Sequence, residues 1–189
     1  NLKDKPIYVD FLQRLSMEYV LDAQKIFSWN VAYLNYLPRY IFVGMKFQDS
    51  DYKWNNSRFH MDPTEFSIQI KLNNTYYPIQ PMMNVKANRN FYDLYNAYVQ
   101  CCRGFQDKAP ILSLKDWKSL YPIACFDTSD IDKALSVNNV TVTIIIRKSE
   151  KFKPKMYCVI LEEAKVKMSL RGSQITIIEP IKGSADKKV

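Results

Sequence analysis

Apolar and polar positions alternate with period two along much of this chain. In "FSIQIKL" (Phe66–Leu72), Phe66, Ile68, Ile70 and Leu72 alternate with Ser67, Gln69 and Lys71, the pattern of a strand with one buried and one wet face. Asn73-Asn74 then supply residues that tolerate positive φ, and "TYYPIQP" returns as the partner strand of a hairpin. Pro78 has no N–H to donate, which sends that strand to a sheet edge. Upstream, "IFSWNVAYL" places Phe27, Trp29, Val31 and Tyr33 on one face, and "RYIFVGMKF" (Arg39–Phe47), apolar on both faces, reads as a central strand. Downstream, "YPIACFD" reads as a short buried strand, and "NVTVTIIIR" aligns Val140, Val142, Ile144 and Ile146 on one side. The runs "KMYCVILEE", "KVKMSL" and "SQITIIE" follow as separate strands, with Gly172 at the turn between the last two. About eight to ten strands with polar punctuation, and few helices between them, predict an all-β antiparallel sandwich or barrel and not parallel βαβ units.

One helix interrupts this series. In "NRNFYDLYNAYVQCCRGF", Phe91, Leu94/Tyr95, Tyr98, Cys101/Cys102 and Phe105 recur at helical spacing, with Asn88 or Asn90 as the cap and Gly104 as a left-handed C′ residue. A shorter turn starts at Ser113 and stops before Pro122, and "TSDIDKAL" suggests a third. The organisation is strands, one helical excursion, then more strands, with no internal repeat.

Composition bounds this picture. The chain of 189 residues suffices for one domain with a substantial core, and its four glycines against nine prolines argue against low complexity. No apolar run approaches the roughly 20 residues that span a bilayer. The start, "NLKDKPIYVD", lacks a methionine and the apolar centre of a secretory leader, which leads us to expect a segment of a longer polypeptide. Lysine and arginine number 27 against 19 acidic residues, a net charge of +8. The basic residues are scattered, with small clusters at 147–155, 165–167 and 187–188, so a solvated surface explains them at least as well as an anionic partner. Cys101, Cys102, Cys125 and Cys158 lack CxxC spacing and a nearby histidine, and read as buried free thiols in a helix and two strands. Sequons at Asn55, Asn73 and Asn139 are what an asparagine-rich chain contains by chance.

Candidate chemistry is sparse. The single histidine, His60, sits in a polar loop near Asp62 and Ser57, but no nucleophile elbow accompanies it, and an exposed loop histidine is the simpler reading. Asp49, Asp51, Asp62, Asp127, Asp130 and Asp132 stand in turn-like contexts, and "DTSD" lacks the pattern of a calcium loop, so turn formation accounts for Asp127, Ser129 and Asp130. No phosphate-binding glycine loop is present. Tyr92, Tyr95 and Tyr98 line the helix; because Tyr92 and Tyr95 cannot both lie centrally on the Phe91–Tyr98–Phe105 face, Tyr92 and Tyr95 are the candidate subunit-contact residues.

The order and spacing of "PRYIFVGMKFQ", "NNSRFHMDPTEFSIQIKLNNTYYPIQ", "FYDLYNAYVQCCRGFQDKAPILSLKDWKSLYPIACFDTS" and "VTVTIIIRKSEKFKPKMYCVILEEAKVKMS" resemble the double jelly-roll major capsid proteins of Polinton/Maverick-type elements and adintovirus-like DNA viruses. The likeness runs from about Phe27 to Ile178 and is to their C-terminal jelly roll. It implies an eight-stranded antiparallel jelly-roll sandwich over residues 1–180, with one inserted helix and short helical turns, and a basic flexible tail over 181–189. It further implies a shell protein of the virion, assembled inside the host cell as homotrimeric, pseudo-hexagonal capsomers. Its partners would be copies of itself, neighbouring capsomers, and penton or minor capsid proteins. No catalytic residue and no cofactor come with the resemblance. Arg147, Lys148, Lys151, Lys153 and Lys155 would form an anion-facing loop, toward packaged DNA or an acidic neighbour. The departure is the absent first jelly roll: without one before Asn1, a single jelly-roll minor protein or a host-domesticated remnant is implied. The rivals are a lectin- or cytokine-like binding module, and a cupin-type enzyme, which would need two or three histidines around a metal.

Overall fold

The period-two runs fold as two facing antiparallel sheets. The computed structural model describes residues 7–47, 58–62, 65–85, 91–131, 139–171 and 174–181. Nine strands fall in them: β1 (Ile7–Val20), β2 (Ile26–Leu34), β3 (Tyr40–Phe47), β4 (Glu65–Leu72), β5 (Thr75–Val85), β6 (Ala124–Asp127), β7 (Val140–Lys148), β8 (Pro154–Arg171) and β9 (Gln174–Ile181). Helices α1 (Tyr92–Gln106) and α2 (Leu114–Leu120) occupy the β5–β6 connection. One sheet runs β1-β8-β3-β6, with β9 added against β8, and the other runs β2-β7-β4-β5. Apart from the β4–β5 hairpin, successive strands from β1 to β8 alternate between the sheets, which is a jelly-roll sandwich. The expected fold class is what the chain adopts.

The core lies between the layers. Phe66, Ile68, Ile70 and Leu72 of β4 and Val140, Val142, Ile144 and Ile146 of β7 meet Ile41, Val43 and Met45 of β3 and Met156, Cys158 and Ile160 of β8, all buried. β3 is apolar on both faces because Ile41, Val43 and Met45 face the core while Tyr40, Phe42 and Gly44 lie under α1 and the Phe59 ring. At Gly44 in β3, a Cβ would stand 2.7 Å from Cε1 of Phe59, whose ring covers the strand. Gly44→Ala should therefore cost about 1–3 kcal/mol through overpacking, read as a lowered urea midpoint, and the penalty should shrink in a Phe59→Ala background.

Turn chemistry follows the sequence in several places. Asn73 takes the positive φ of 54° expected of the hairpin, and its Oδ1 accepts from Thr141 N–H at 2.9 Å, tying the turn to β7. Pro78 lies in β5, an edge strand. The register between β4 and β5 shifts at Gln69, whose Nε2 donates to the carbonyls of Pro78 (2.7 Å) and Ile79 (3.0 Å), so this buried polar side chain satisfies the bulge. Ser113 caps α2 by accepting from Asp116 N–H at 3.2 Å. Asp127 Oδ1 accepts from Ser129 N–H at 3.0 Å, the turn expected of "DTSD".

Other expectations are corrected. A bulge at Val31 shifts the pairing of β2 between Asn30 and Ala32, so Leu34 is buried and Tyr33 turns outward, 79% exposed. Gly104 is not a C′ residue: α1 continues to Gln106 and Asp107 takes the left-handed position (φ 51°, ψ 37°). Gly104 instead lets α1 approach the sheet, since a Cβ there would meet Tyr40 Oη at 3.0 Å and Asp127 Oδ2 at 3.1 Å. "KMYCVILEE" and "KVKMSL" are not two strands but one, the 18-residue β8. β1, 14 residues long, has no counterpart in the sequence reading above. Ile181, assigned to the tail, ends β9. Asn88, Asn90, Gly172, the second half of "TSDIDKAL" (132–135) and the rest of the tail lie outside the described residues.

Candidate assembly surface

Three regions bear on the surface: the β7–β8 turn, the outer side of α1, and β1. In the first, Phe152 is buried and meets Phe47 edge-on at 5.3 Å, with Phe47 also against the His60 ring at 4.6 Å. His60 is thus half-buried and not the exposed histidine expected; burial, with Arg58 nearby, lowers its pKa. Asp62 is buried, and its Oδ2 accepts from Ser149 N–H at 2.7 Å, so this carboxylate anchors the β7–β8 turn. Ser57, Asp49, Asp51 and Asp132 lie outside the described residues.

The turn separates the five basic residues assigned to it. Arg147, Lys151 and Lys153 are exposed. Lys155 is half-buried and holds Glu18 Oε2 at 2.9 Å. Lys148 is fully buried: its Nζ donates to the carbonyl of Asp22 at 2.6 Å, and its N–H to the carbonyl of Lys25 at 2.8 Å. Burial lowers its pKa, against the pull of Asp22 and Asp62. Lys148 therefore fastens the β1–β2 turn to β7 and does not face an anion. Its identity as a lysine after "IIIR" gave no sign of this, because the carbonyl that receives it lies far away in sequence.

On α1, the two candidate tyrosines part company. Tyr95 packs on the core, its ring 5.7 Å from that of the buried Trp117 and its hydroxyl donating to the Leu112 carbonyl at 2.9 Å. Its hydroxyl and part of its ring are thus engaged within the chain. Tyr92 is 64% exposed. Phe105, expected on the inner stripe, lies nearer the surface, edge-on to Tyr40 at 5.6 Å. Cys101 and Cys125 are buried together beneath α1 with Tyr40 and Leu161, while Cys102 is half-buried. A hydrogen bond with the neighbouring Cys101 thiol, and then burial, push the Cys125 pKa well up, and burial pushes Cys158 up to about 12, so neither is a ready nucleophile. Among the described residues, no group of three or more His, Cys, Asp or Glu is placed to hold a metal.

The third region is the one the sequence reading missed. β3 accompanies β8 only as far as Leu161, whereas β1 follows it to Met168. Beyond that point β8 carries β1 on one side and β9 on the other, since Lys165–Met168 pair with both. Leu15 and Met17 pack against the core, but Ile7–Arg14 are all exposed, including Ile7, Tyr8, Val9, Phe11 and Leu12. Strands apolar on both faces belong between two layers. The alternation Ile7, Val9, Phe11, then Leu15, Met17, Tyr19 was the available signal, and the apolar residues at Tyr8 and Leu12 blurred it. Glu162, beside Gln13 in the register, marks the end of the packed body; burial raises its pKa. No helix among the described residues is long and apolar enough to cross a membrane.

Comparison with known proteins agrees with this architecture. Residues 13–166 match the family described as "Double jelly roll-like domain". Among solved structures, the fold is similar to a chain of the Sputnik virophage, seen by cryo-EM at 3.5 Å, with a TM-score of 0.52 at 15% sequence identity. That likeness covers 93% of this chain and 39% of the virophage chain, so the present chain spans well under half of its length. No curated protein matches the chain in sequence.

Proposed function

Because this chain belongs to the double jelly roll-like domain family, we propose that it is a structural subunit of a viral capsid, without enzymatic activity, that associates with copies of itself. The observation that carries this reading is the pairing of a jelly-roll body with a long, apolar, unburied β1 flank, a surface that water alone covers poorly. Rigid sandwiches with repeatable side faces suit symmetric tiling, because a closed shell requires the same contact many times over. In this reading the subunit is the C-terminal jelly roll of a double jelly-roll polypeptide. It stands in trimeric, pseudo-hexagonal capsomers of an icosahedral DNA-virus shell of the Polinton/Maverick kind, which meet penton or minor capsid proteins elsewhere. Tyr92 belongs to its contact surface, and Arg147, Lys151 and Lys153 lie where packaged DNA or an acidic neighbour is met.

Electron microscopy of the expressed polypeptide that carries this chain tests the proposal. Closed particles or hexagonal arrays are expected. A species that stays unassembled across salt, pH and concentration, or one that turns over a substrate, would overturn it. Retention of DNA that weakens steeply with added salt would place the basic turn against nucleic acid.

A further inference from the structure

The four cysteines are free thiols, and two of them are set against each other between α1 and β6. Along β6, Cys125 pairs with Phe42 and Asp127 with Tyr40, and both face α1, while Ala124 and Phe126 point into the core between the sheets. α1 meets that outer face at Gly104, where a Cβ would stand 3.0 Å from Tyr40 Oη and 3.1 Å from Asp127 Oδ2. Cys101 lies about one turn back along the helix, and Cys125 two residues back along the strand on the same face. The two are buried together, each 2% exposed, and their thiols share a hydrogen bond. A disulfide requires Cα atoms about 4–7 Å apart. A helix comes that near to a sheet only where small residues line the contact, and Gly104 and the two cysteines line this one. The other thiols are turned elsewhere. Cys158 packs in the core between the layers, and Cys102, roughly 100° further round the helix, shares a hydrogen bond with Tyr98.

We propose that Cys101 and Cys125 form a redox-operated latch, which an oxidised small-molecule disulfide of the glutathione class closes into a covalent link between α1 and β6. One cysteine thiolate attacks a sulfur of the oxidant RSSR, forming a mixed disulfide and releasing RS⁻. The other cysteine then attacks the protein sulfur of that mixed disulfide, forming the Cys101–Cys125 bond and releasing the second RS⁻. The two protons given up by the cysteines leave on the two RSH, so two thiols are oxidised and one oxidant disulfide is reduced. Both sulfurs are buried, so the oxidant reaches them when α1 opens locally, and closure takes minutes to hours. Reduced, the α1–α2 excursion is held to the sheet by non-covalent contacts. Oxidised, it is tied to β6 through a bond that also restricts the unfolded chain. α1 carries the exposed Tyr92, so the latch sets how firmly that part of the surface is held. This inference is independent of the self-association proposed above.

The test incubates the whole chain with oxidised glutathione in mild urea, blocks the remaining thiols by alkylation, and maps peptides by mass spectrometry without reduction. Because Cys101 and Cys102 are adjacent, the map is read on the Cys102→Ser chain, where a peptide linking Cys101 to Cys125 is expected. After urea and glutathione are removed, the thermal midpoint of the linked chain should exceed that of the same chain reduced by about 5–10 °C. Cys125→Ala should abolish both the link and the rise, and Cys158→Ser should keep both. Each variant is compared with its own reduced form, so a packing loss common to the two states cancels. Glutathione adducts without an internal link, a Cys125 link that persists in Cys101→Ser, or a link that lowers the midpoint would overturn the inference.

Discussion

Trp117→Ala is expected to lower the unfolding free energy by about 3–5 kcal/mol, the range for removing a buried large aromatic side chain. Trp117 is fully buried in the seven-residue α2, and three rings surround it: Phe91 at 6.2 Å, Tyr95 at 5.7 Å and Tyr98 at 6.3 Å. Phe91 and Tyr95 meet it edge-on, so the loss includes aromatic contacts beyond buried area. α2 is too short to persist on packing other than this, so the alanine variant should lose amide protection in α1 and α2 while β3, β4, β7 and β8 keep theirs. Hydrogen exchange read by mass spectrometry distinguishes this local release from global destabilisation. Trp117→Phe provides the control. The indole N–H is buried without a partner among the described residues, so replacing it removes an unpaired donor and should offset much of the lost volume. A phenylalanine variant as unstable as the alanine variant would contradict this account.

The second large effect is expected at the corner that fastens the β7–β8 turn. Asp62→Ala removes the acceptor of the Ser149 N–H and the negative charge near the buried Lys148 amine, and should cost about 2–4 kcal/mol. The pH dependence follows from the direction of the Lys148 shift. Burial holds its pKa below the ordinary 10.5, so the native state releases this proton at lower pH than the unfolded chain. Stability contributed at the site therefore rises as pH climbs from the folded value toward 10.5. Loss of Asp62 depresses the amine further, so the deficit of the variant should be largest at neutral pH and narrower near pH ~10. Denaturant titrations at the two pH values check this, and a deficit that widens with pH would refute it.

What could be read from the sequence divides along a physical line. β4 and β7 were legible because one face of each meets a continuous core, so Phe66 to Leu72 obeys period two throughout and Val140 to Ile146 departs from it only at Ile145. The Ser113 cap and the Asn73 turn were legible because their partners are local or their φ is. The bulge at Val31 was not, since it depends on how β7 pairs opposite it, and its consequence is that Tyr33 and Leu34 exchange roles. β8 was divided in two because the charged stretch Glu162-Glu163-Ala164-Lys165 reads as a break when β1 is not known to pair along it. The same held for the surface residues. A run of basic side chains shows charge but not depth, so Lys148 could not be told from Arg147. The helical spacing of Tyr92 and Tyr95 could not show which ring α2 would cover. β1 was missed because apolar residues at Tyr8 and Leu12 blur its alternation, and those same exposed residues make it the strongest candidate for contact.

The length of β8 has a mechanical consequence. Its 18 residues reach roughly 60 Å at about 3.3 Å per residue, and they run unbroken from the packed body into the overhang. Tension applied to the overhang along this strand is borne by rows of hydrogen bonds to β1 and β3 stretched together, in shear, and not peeled one after another. The overhang is therefore held to the packed body by a contact that fails only when many main-chain hydrogen bonds fail together.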